Sequence, residues 1–263
     1  MAIDNIEPYS LFSEIYDDTM KDVPYLQWAS FIHEILTRFE ISYDSLILDV
    51  GCGTGTLTRY LFSYYANIIG MDISFQMLEK ASQKKMNNLV LGNMQNIPLK
   101  KSSISAMIST HDVLNYLLDE HQLHQHFSEA YRVLDKNGIY IFDASTEYNI
   151  IQFYHNKEFY EQNNAVEMRW SNSYDFLKKE ILSTLEFKNK ESLSSLFLRG
   201  LNFKQVRKNK KVLETHRQKY FSDLEIIKIL NNTGFTLMEK VKDYNYNITG
   251  ERVYLMVFIC RKS

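Results

Sequence analysis

Hydrophobic spacing changes period along the chain, and each change marks a new kind of element. From residue 9 to residue 40 the apolar positions recur at helical intervals: Leu11, Ile15, Tyr16 and Met20, then Phe31, Ile35, Leu36 and Phe39. Pro24 stands between the two sets, where a helix can begin but not continue, so the spacing predicts two helices. Short apolar runs follow. Leu46-Ile47-Leu48-Asp49-Val50 leads into glycines, Asn67–Asp72 ends on an acid, and Leu89–Gly92, Ile104–Ser109 and Gly138–Asp143 complete the set. Near-continuous apolar runs of this length are what parallel strands covered on both faces require. Between them Thr56–Tyr65, Ser74–Lys85 and Glu120–Leu134 read as helices, with Ser74 an N-cap.

Strand and helix alternate here as in a doubly wound parallel sheet. After residue 145 the pattern breaks. Residues 146–163 read as helical or irregular, and 165–219 alternate, with turn signals at Asn172-Ser173, Asn189-Lys190 and Lys208-Asn209-Lys210. Val166, Met168 and Trp170 form one stripe; Ile181, Thr184, Leu185 and Phe187 belong to another strand. A helix then runs from its Ser222 cap to Asn232 and ends at Gly234, before a closing strand pair at Phe235–Tyr244 and Arg252–Arg261. The expected fold is α/β and Rossmann-like: a mostly parallel sheet of about seven strands with helices on both faces, plus an antiparallel β insertion after the fifth strand. Residues 1–145 and 220–263 should form the core with an N-terminal helical cap. Residues 146–219 should form an inserted subdomain that walls an acceptor pocket, contacts a second copy, or both.

Composition narrows the function classes. The net charge of −2 gives no global electrostatic case for nucleic acid or an anionic membrane. No run approaches the length of a membrane-spanning helix, and the N-terminus lacks the basic start and apolar stretch of a secretory signal. Cys52 and Cys260 form no disulfide framework, which fits a reducing, cytoplasmic compartment. A monomer or a homodimer is compatible with all of this.

In a doubly wound sheet, ligands bind beyond the carboxyl ends of the strands. There the chain places Asp49-Val50-Gly51-Cys52-Gly53-Thr54-Gly55, between a strand and a helix. A dinucleotide loop would be spaced G-x-G-x-x-G, with a pyrophosphate on the helix N-terminus. This loop is G-x-G-x-G, and Asp49 would repel a pyrophosphate while suiting an ammonium. S-adenosylmethionine (SAM) carries an ammonium and a sulfonium and no phosphate, so the charges favour it. Asp72, ending the next strand, can accept from both ribose hydroxyls of an adenosine.

LDVGCGTG, GMDIS and LGNMQNIPL together resemble the class I SAM-dependent methyltransferase family across residues 46–145. FSEIYDDTM at 12–20 and ETHRQKYFSDLEIIKILNNTGF at 214–235 resemble a bacterial branch acting on small molecules, which includes amino-sugar N-methyltransferases. The resemblance implies SAM as cosubstrate, S-adenosylhomocysteine as product, and a small-molecule acceptor. It implies that Gly51, Cys52, Gly53 and Gly55 shape the loop around the methionine moiety, with Asp49 facing the ammonium. Asp72 would hold the ribose, Ile73 and Met77 would pack on adenine, and Asn93 and Met94 would meet its edge. Tyr16 and Met20 would close over the cofactor, and His111 would stand beside the methionine group. The family usually has Asp at position 93; Asn can still accept from the adenine amine.

Remaining candidates are weaker. His121, His124 and His126 are spaced poorly for a metal and read as a solvated helix face; no metal is expected. Arg207-Lys208-Asn209-Lys210-Lys211 reads as a charged turn. Asp112 and Asn115 either cap the next helix or face the substrate, and Trp170 and Tyr174 either fill the insertion core or line an acceptor pocket. An amine acceptor must lose a proton, for which His111, then His216, then Tyr16 are the candidates. RNA or protein methylation, SAM binding without catalysis, and SAM-dependent cyclisation are the alternatives.

Overall fold

The computed structural model describes residues 4–162, 166–189 and 211–263. In chain order its strands are β1 (Asp4–Ile6), β2 (Leu46–Val50), β3 (Asn67–Asp72), β4 (Leu89–Leu91), β5 (Ile104–Ser109) and β6 (Leu134–Ser145). Then come β7 (Glu158–Gln162), β8 (Val166–Asp175), β9 (Glu180–Asn189), β10 (Lys211–Lys219), β11 (Phe235–Lys242) and β12 (Leu255–Lys262). The longer helices are α1 (Tyr25–Arg38), α2 (Thr56–Leu61), α3 (Phe75–Gln83), α4 (Glu120–Val133) and α5 (Asp223–Asn232). The chain divides into two compact units, one of Val23–Asn149 and Lys219–Ser263, the other of Met1–Asp22 and Ile150–Gln218.

The larger unit is the expected Rossmann-like sheet. Its seven strands run in the order β11-β12-β6-β5-β2-β3-β4; β4, β3, β2, β5 and β6 are parallel, and β12 and β11 close the edge antiparallel. Alternation along each strand divides the core between the two faces. Ile47, Ile139, Ile141, Val257 and Ile259 pack with α1 and α2, whereas Leu48, Tyr140, Phe142, Phe258 and Cys260 pack with α4 and α5. Ser74 caps α3 by accepting the Met77 N–H, and Ser222 and Glu225 form a capping box on α5.

The smaller unit carries the antiparallel strands. Its sheet runs β1-β10-β9-β8-β7, with β1 parallel to β10 and the β7-β8-β9 run antiparallel. One face is buried: Met168, Asn172 and Tyr174 on β8; Ile181, Ser183, Leu185 and Phe187 on β9; Val212, Glu214, His216 and Gln218 on β10. Thr184, read as part of that stripe, points the other way. Leu11, Phe12 and Ile15 join Met168, Leu185, Phe187 and Val212 in its apolar core.

Several expectations change. Residues 9–20 are not a continuous helix but a 3-10 turn at Phe12–Glu14 and a single α-turn at Tyr16–Thr19. Tyr9 is in left-handed backbone (φ 64°) and Ile15 departs from helical angles (φ −120°, ψ 2°), which breaks the run at both places; the backbone N–H groups of Tyr9, Leu11 and Phe12 donate to the Glu214 carboxylate. The N-terminal segment therefore belongs to the unit of the insertion, where a helical cap on the core was expected. Asn172-Ser173 is no turn; it lies inside β8, where Asn172 finds side-chain donors. The β8–β9 reversal is at residues 176–179 instead, with Lys179 at φ 56°. Lys208 and Lys210 of the basic run lie outside the described residues; Lys211 pairs with Glu186.

Candidate active site

The glycine loop takes its shape from three left-handed residues, Gly51 (φ 71°), Gly53 (φ 56°) and Gly55 (φ 74°). Their surroundings differ. A Cβ on Gly55 would lie 2.0 Å from the Met86 sulfur, and one on Gly51 would lie 2.5 Å from Val113. Among the described residues a Cβ on Gly53 would meet nothing within 4 Å, so this backbone stands open to a ligand. The loop is fastened to the end of β3. Gly51 and Cys52 N–H donate to the Met71 carbonyl (2.7 and 3.1 Å), and Gly53 N–H donates to Asp72 Oδ2 (2.9 Å).

Asp72 Oδ1 also accepts the Ser74 N–H at 2.8 Å. A carboxylate offers about four acceptor positions, so capacity remains for a ribose hydroxyl. Burial raises the Asp72 pKa, opposed by N–H groups of Ser74, Gly53 and Ile73. Asp49 is buried at the end of β2 and accepts from the Thr58 hydroxyl. Burial foremost, with the charge of Asp72 adding to it and the Thr58 hydrogen bond opposing it, pushes its pKa up to about 7. A bound ammonium would reverse that penalty. Burial, then Asp49 and Asp72, likewise holds the Cys52 thiol well above its ordinary range. Two carboxylates around an open glycine backbone are a donor and acceptor set that fits SAM.

The adenine side is partly as expected. Ile73 is 69% exposed and Leu91, opposite Asp72 in register, is 57% exposed, so apolar surface lies beyond β3 and β4. Met77 is buried in the α3 seam and presents no such surface. Asn93 Oδ1 accepts the Gln95 N–H (2.9 Å), forming a turn; the other lone pair of that oxygen would serve an adenine amine. The Met94 carbonyl accepts from His126 Nδ1 (3.0 Å), and His126 Nε2 accepts from the Tyr140 hydroxyl (2.7 Å). His121 and His124 are exposed as expected, but His126 is not solvated; burial lowers its pKa to about 4.

Beyond β5, His111 and Asp112 both adopt left-handed backbone, φ 66° and 55°. Asp143 holds this turn: its two oxygens accept the His111 and Asp112 N–H groups (2.8 and 2.6 Å), and the Tyr244 hydroxyl also donates to it. Burial lifts Asp143 to about 6, against those hydrogen bonds. The His111 ring lies edge-on to Trp28 at 5.6 Å, with Nδ1 3.5 Å from the Tyr25 hydroxyl, and burial lowers its pKa. His111 is therefore a neutral imidazole at pH 7. Asn115 is a correction. It is fully buried; Nδ2 donates to the Lys219 carbonyl (2.8 Å) and Oδ1 accepts the Ser145 N–H (3.0 Å), so its amide is spent on the fold. Asp143 was not singled out, although it ends the fifth apolar run as Asp72 ends the second.

The other candidates lie in the smaller unit. Tyr16 and Met20, expected beside the cofactor, pack on the core formed by Leu11, Phe12, Ile15 and the β8–β10 face. Trp170 meets Phe12 edge-on at 5.5 Å and donates from Nε1 to Asn172 Oδ1 (2.7 Å). That oxygen also accepts from Ser183, while the buried Asn172 Nδ2 has no partner among the described residues. Tyr174 is in a different cluster, against Phe176 at 4.8 Å. His216 lies buried with Nε2 2.9 Å from Glu214 Oε1, edge-on to Tyr9 at 4.8 Å and to Phe12 at 6.2 Å. Glu214, one strand period before His216, escaped the sequence reading; the shared face of β10 is the signal that could have found it.

Comparison with known proteins agrees with this geometry. Residues 48–142 match the methyltransferase domain family. A Geobacillus sp. (strain WCH70) protein, provisionally named a methyltransferase, is 29% identical over 97% of this chain and 99% of its own. A SAM-dependent methyltransferase from Clostridium acetobutylicum ATCC 824 superposes with a TM-score of 0.78 at 23% identity, covering 96% of this chain and 98% of that one. A sugar N-methyltransferase from Streptoalloteichus sp. ATCC 53650 gives a TM-score of 0.71 at 15% identity, covering 98% and 94%. The open Gly53 backbone, the two carboxylates at the ends of β2 and β3, and the matched domain around them identify the chain as a class I SAM-dependent methyltransferase.

Proposed function

We propose that the acceptor is the amine of a small molecule, of the amino-sugar kind. The observation that carries this is the His216–Glu214 pair, buried among the rings of Tyr9 and Phe12 on the polar face of the smaller unit. The buried Asn172 Nδ2 on the same sheet face, without a partner among the described residues, supports it as a donor suited to a hydroxyl-bearing acceptor. The shared fold of a sugar N-methyltransferase is compatible with it.

When bound, SAM supplies an electrophilic methyl group on its sulfonium. In this reading the residues of the chain hold, orient and deprotonate. The Gly53 backbone and Asp72 fix the nucleoside end, and Asp49 balances the ammonium. The amine lone pair forms the new N–C bond while the S–C bond breaks and its electrons stay on sulfur. An alkyl amine has a pKa near 10.4, so supplying the neutral form at pH 7 costs roughly 4–5 kcal/mol. His111 in the larger unit and His216 in the smaller are the candidate bases, and Tyr16 is the candidate for orienting the acceptor.

The test offers methyl-labelled SAM with matched amino and hydroxy sugars. Label should enter the amine and not its hydroxyl analogue. In His216→Asn or His111→Asn, whichever is the base, turnover should fall ~10²-fold while S-adenosylhomocysteine still binds. Label passing equally to the hydroxyl analogues, or only to RNA or protein, would sink the amine reading.

A further inference from the structure

Glu214 is fully buried and its carboxylate is completely engaged. Oε1 accepts the Tyr9 N–H at 2.5 Å and faces His216 Nε2 at 2.9 Å; Oε2 accepts the Leu11 and Phe12 N–H groups at 2.9 and 3.2 Å. Three of these partners are backbone amides, which can only donate. A carboxylate in this setting is an acceptor alone, so the proton shared with His216 sits on Nε2, and Nδ1 is the basic nitrogen of that ring. The same carboxylate holds Tyr9 in left-handed backbone at φ 64°, a conformation a tyrosine adopts only under constraint. That constraint aims the Tyr9 and Phe12 rings at the imidazole.

We propose that Glu214 is a positioning residue of the acceptor site, one carboxylate that ties docking of residues 9–12 to the tautomer of His216. The proposal rests on the reading of His216 as the acceptor base, but its geometry stands apart from that reading. With the segment docked, Glu214 is locked between the amides and the ring, and Nδ1 is set to receive a proton. With the segment released, the carboxylate loses three donors, the ring loses its aromatic walls, and neither nitrogen is favoured. The N-terminal segment is thereby part of the catalytic apparatus of the smaller unit, although none of its side chains need touch the reacting atoms.

The test uses the full chain and two variants. In wild type, nitrogen NMR should show His216 in the Nε2–H form, and hydrogen exchange should show the Tyr9, Leu11 and Phe12 amides protected. Glu214→Gln keeps the size and removes the charge. It should lower protection of those amides roughly tenfold or more, mix the tautomers, and lower kcat with little change in S-adenosylhomocysteine affinity. His216→Asn should lose turnover yet keep the three amides protected. If wild type shows the Nδ1–H form, or if Glu214→Gln leaves tautomer and amide protection unchanged, the proposal is overturned, even should Glu214→Gln prove too unstable for kinetics. If His216→Asn keeps full turnover while the NMR and exchange results stand, it is the base assignment that fails.

Discussion

The larger unit and the smaller unit solve the same problem, holding polar groups in a buried place, by opposite means. In the larger unit the groups are local to short connections. Gly51, Gly53, Asp72 and Ser74 bond across the ends of two neighbouring strands, and Asp143 reaches His111 and Asp112 from the next strand. In the smaller unit one side chain gathers amides from the far end of the chain: 205 residues separate Tyr9 from Glu214. The first arrangement follows from a strand–loop–helix pattern that any chain of this fold must build. The second depends on a single acid whose partners have no sequence signature. The glycine loop is thus held by backbone topology, and the buried polar face of the smaller unit by one long-range contact.

The sharpest way to break this contrast is within the glycine loop. Gly55→Ala places a methyl 2.0 Å from the Met86 sulfur on left-handed backbone and should cost about 3 kcal/mol or more, abolishing S-adenosylhomocysteine binding. Gly53→Ala meets no atom of the described residues within 4 Å and should cost about 1–2 kcal/mol of strain, leaving a folded chain with weakened cofactor affinity. Calorimetry and thermal melts distinguish the two; equal melting temperatures would show that packing, as opposed to ligand access, is not what separates these glycines.

A second test concerns the buried acid. Asp49 has a pKa of about 7 in the fold against an ordinary 3.8. The folded chain therefore holds this proton more tightly, so stability falls as pH rises from about 4 to about 7, and the whole penalty is present above that window. At 1.36 kcal/mol per unit it is on the order of 4 kcal/mol at most. Asp49→Asn should melt higher than wild type at pH 8, by a margin that shrinks toward pH 4, while binding S-adenosylhomocysteine less well. A margin independent of pH would refute the buried-charge account.

Smaller effects sharpen the comparison from the side of the fold. Asn115→Ala should destabilise by about 1–3 kcal/mol, because it strands the Lys219 carbonyl and the Ser145 N–H, and should leave the acceptor KM unchanged. A raised KM at unchanged stability would return Asn115 to the substrate. His121→Ala, on the exposed face of α4, should fall within about 0.5 kcal/mol of wild type in a denaturant titration.

These differences explain what was legible in the sequence. The five parallel strands, the glycine loop and Asp72 could be read because each is defined by neighbours within a few residues. The N-terminal segment was misread because helical spacing at Leu11, Ile15 and Tyr16 also suits a strip laid over a sheet, and the backbone breaks at Tyr9 and Ile15 carry no signal in the spacing. His126 was misread for a related reason. Its neighbours His121 and His124 are solvated, and only the helix phase, together with the carbonyl of Met94, turns the third imidazole inward. Asn172-Ser173 resembled a turn because the partners that keep Asn172 in a strand, Trp170 and Ser183, are side chains no turn rule considers.

The pairing of β1 with β10 has a consequence for how the chain is made. Synthesis proceeds from the N-terminus, so Asp4–Ile6 leaves the ribosome long before Val212–Glu214, its partners in register. At ordinary elongation rates of ~5–20 residues per second, the 205 residues between Tyr9 and Glu214 take on the order of 10–40 s to translate. The parallel strands β2 to β6 can associate during that interval, since none waits on a residue beyond Ser145. The nascent N-terminal segment cannot, and its strand backbone and the rings of Tyr9 and Phe12 remain without their native cover until β10 emerges. The smaller unit therefore stays incomplete until β10 emerges, and through that interval the rings of Tyr9 and Phe12 are surface that a chaperone could cover.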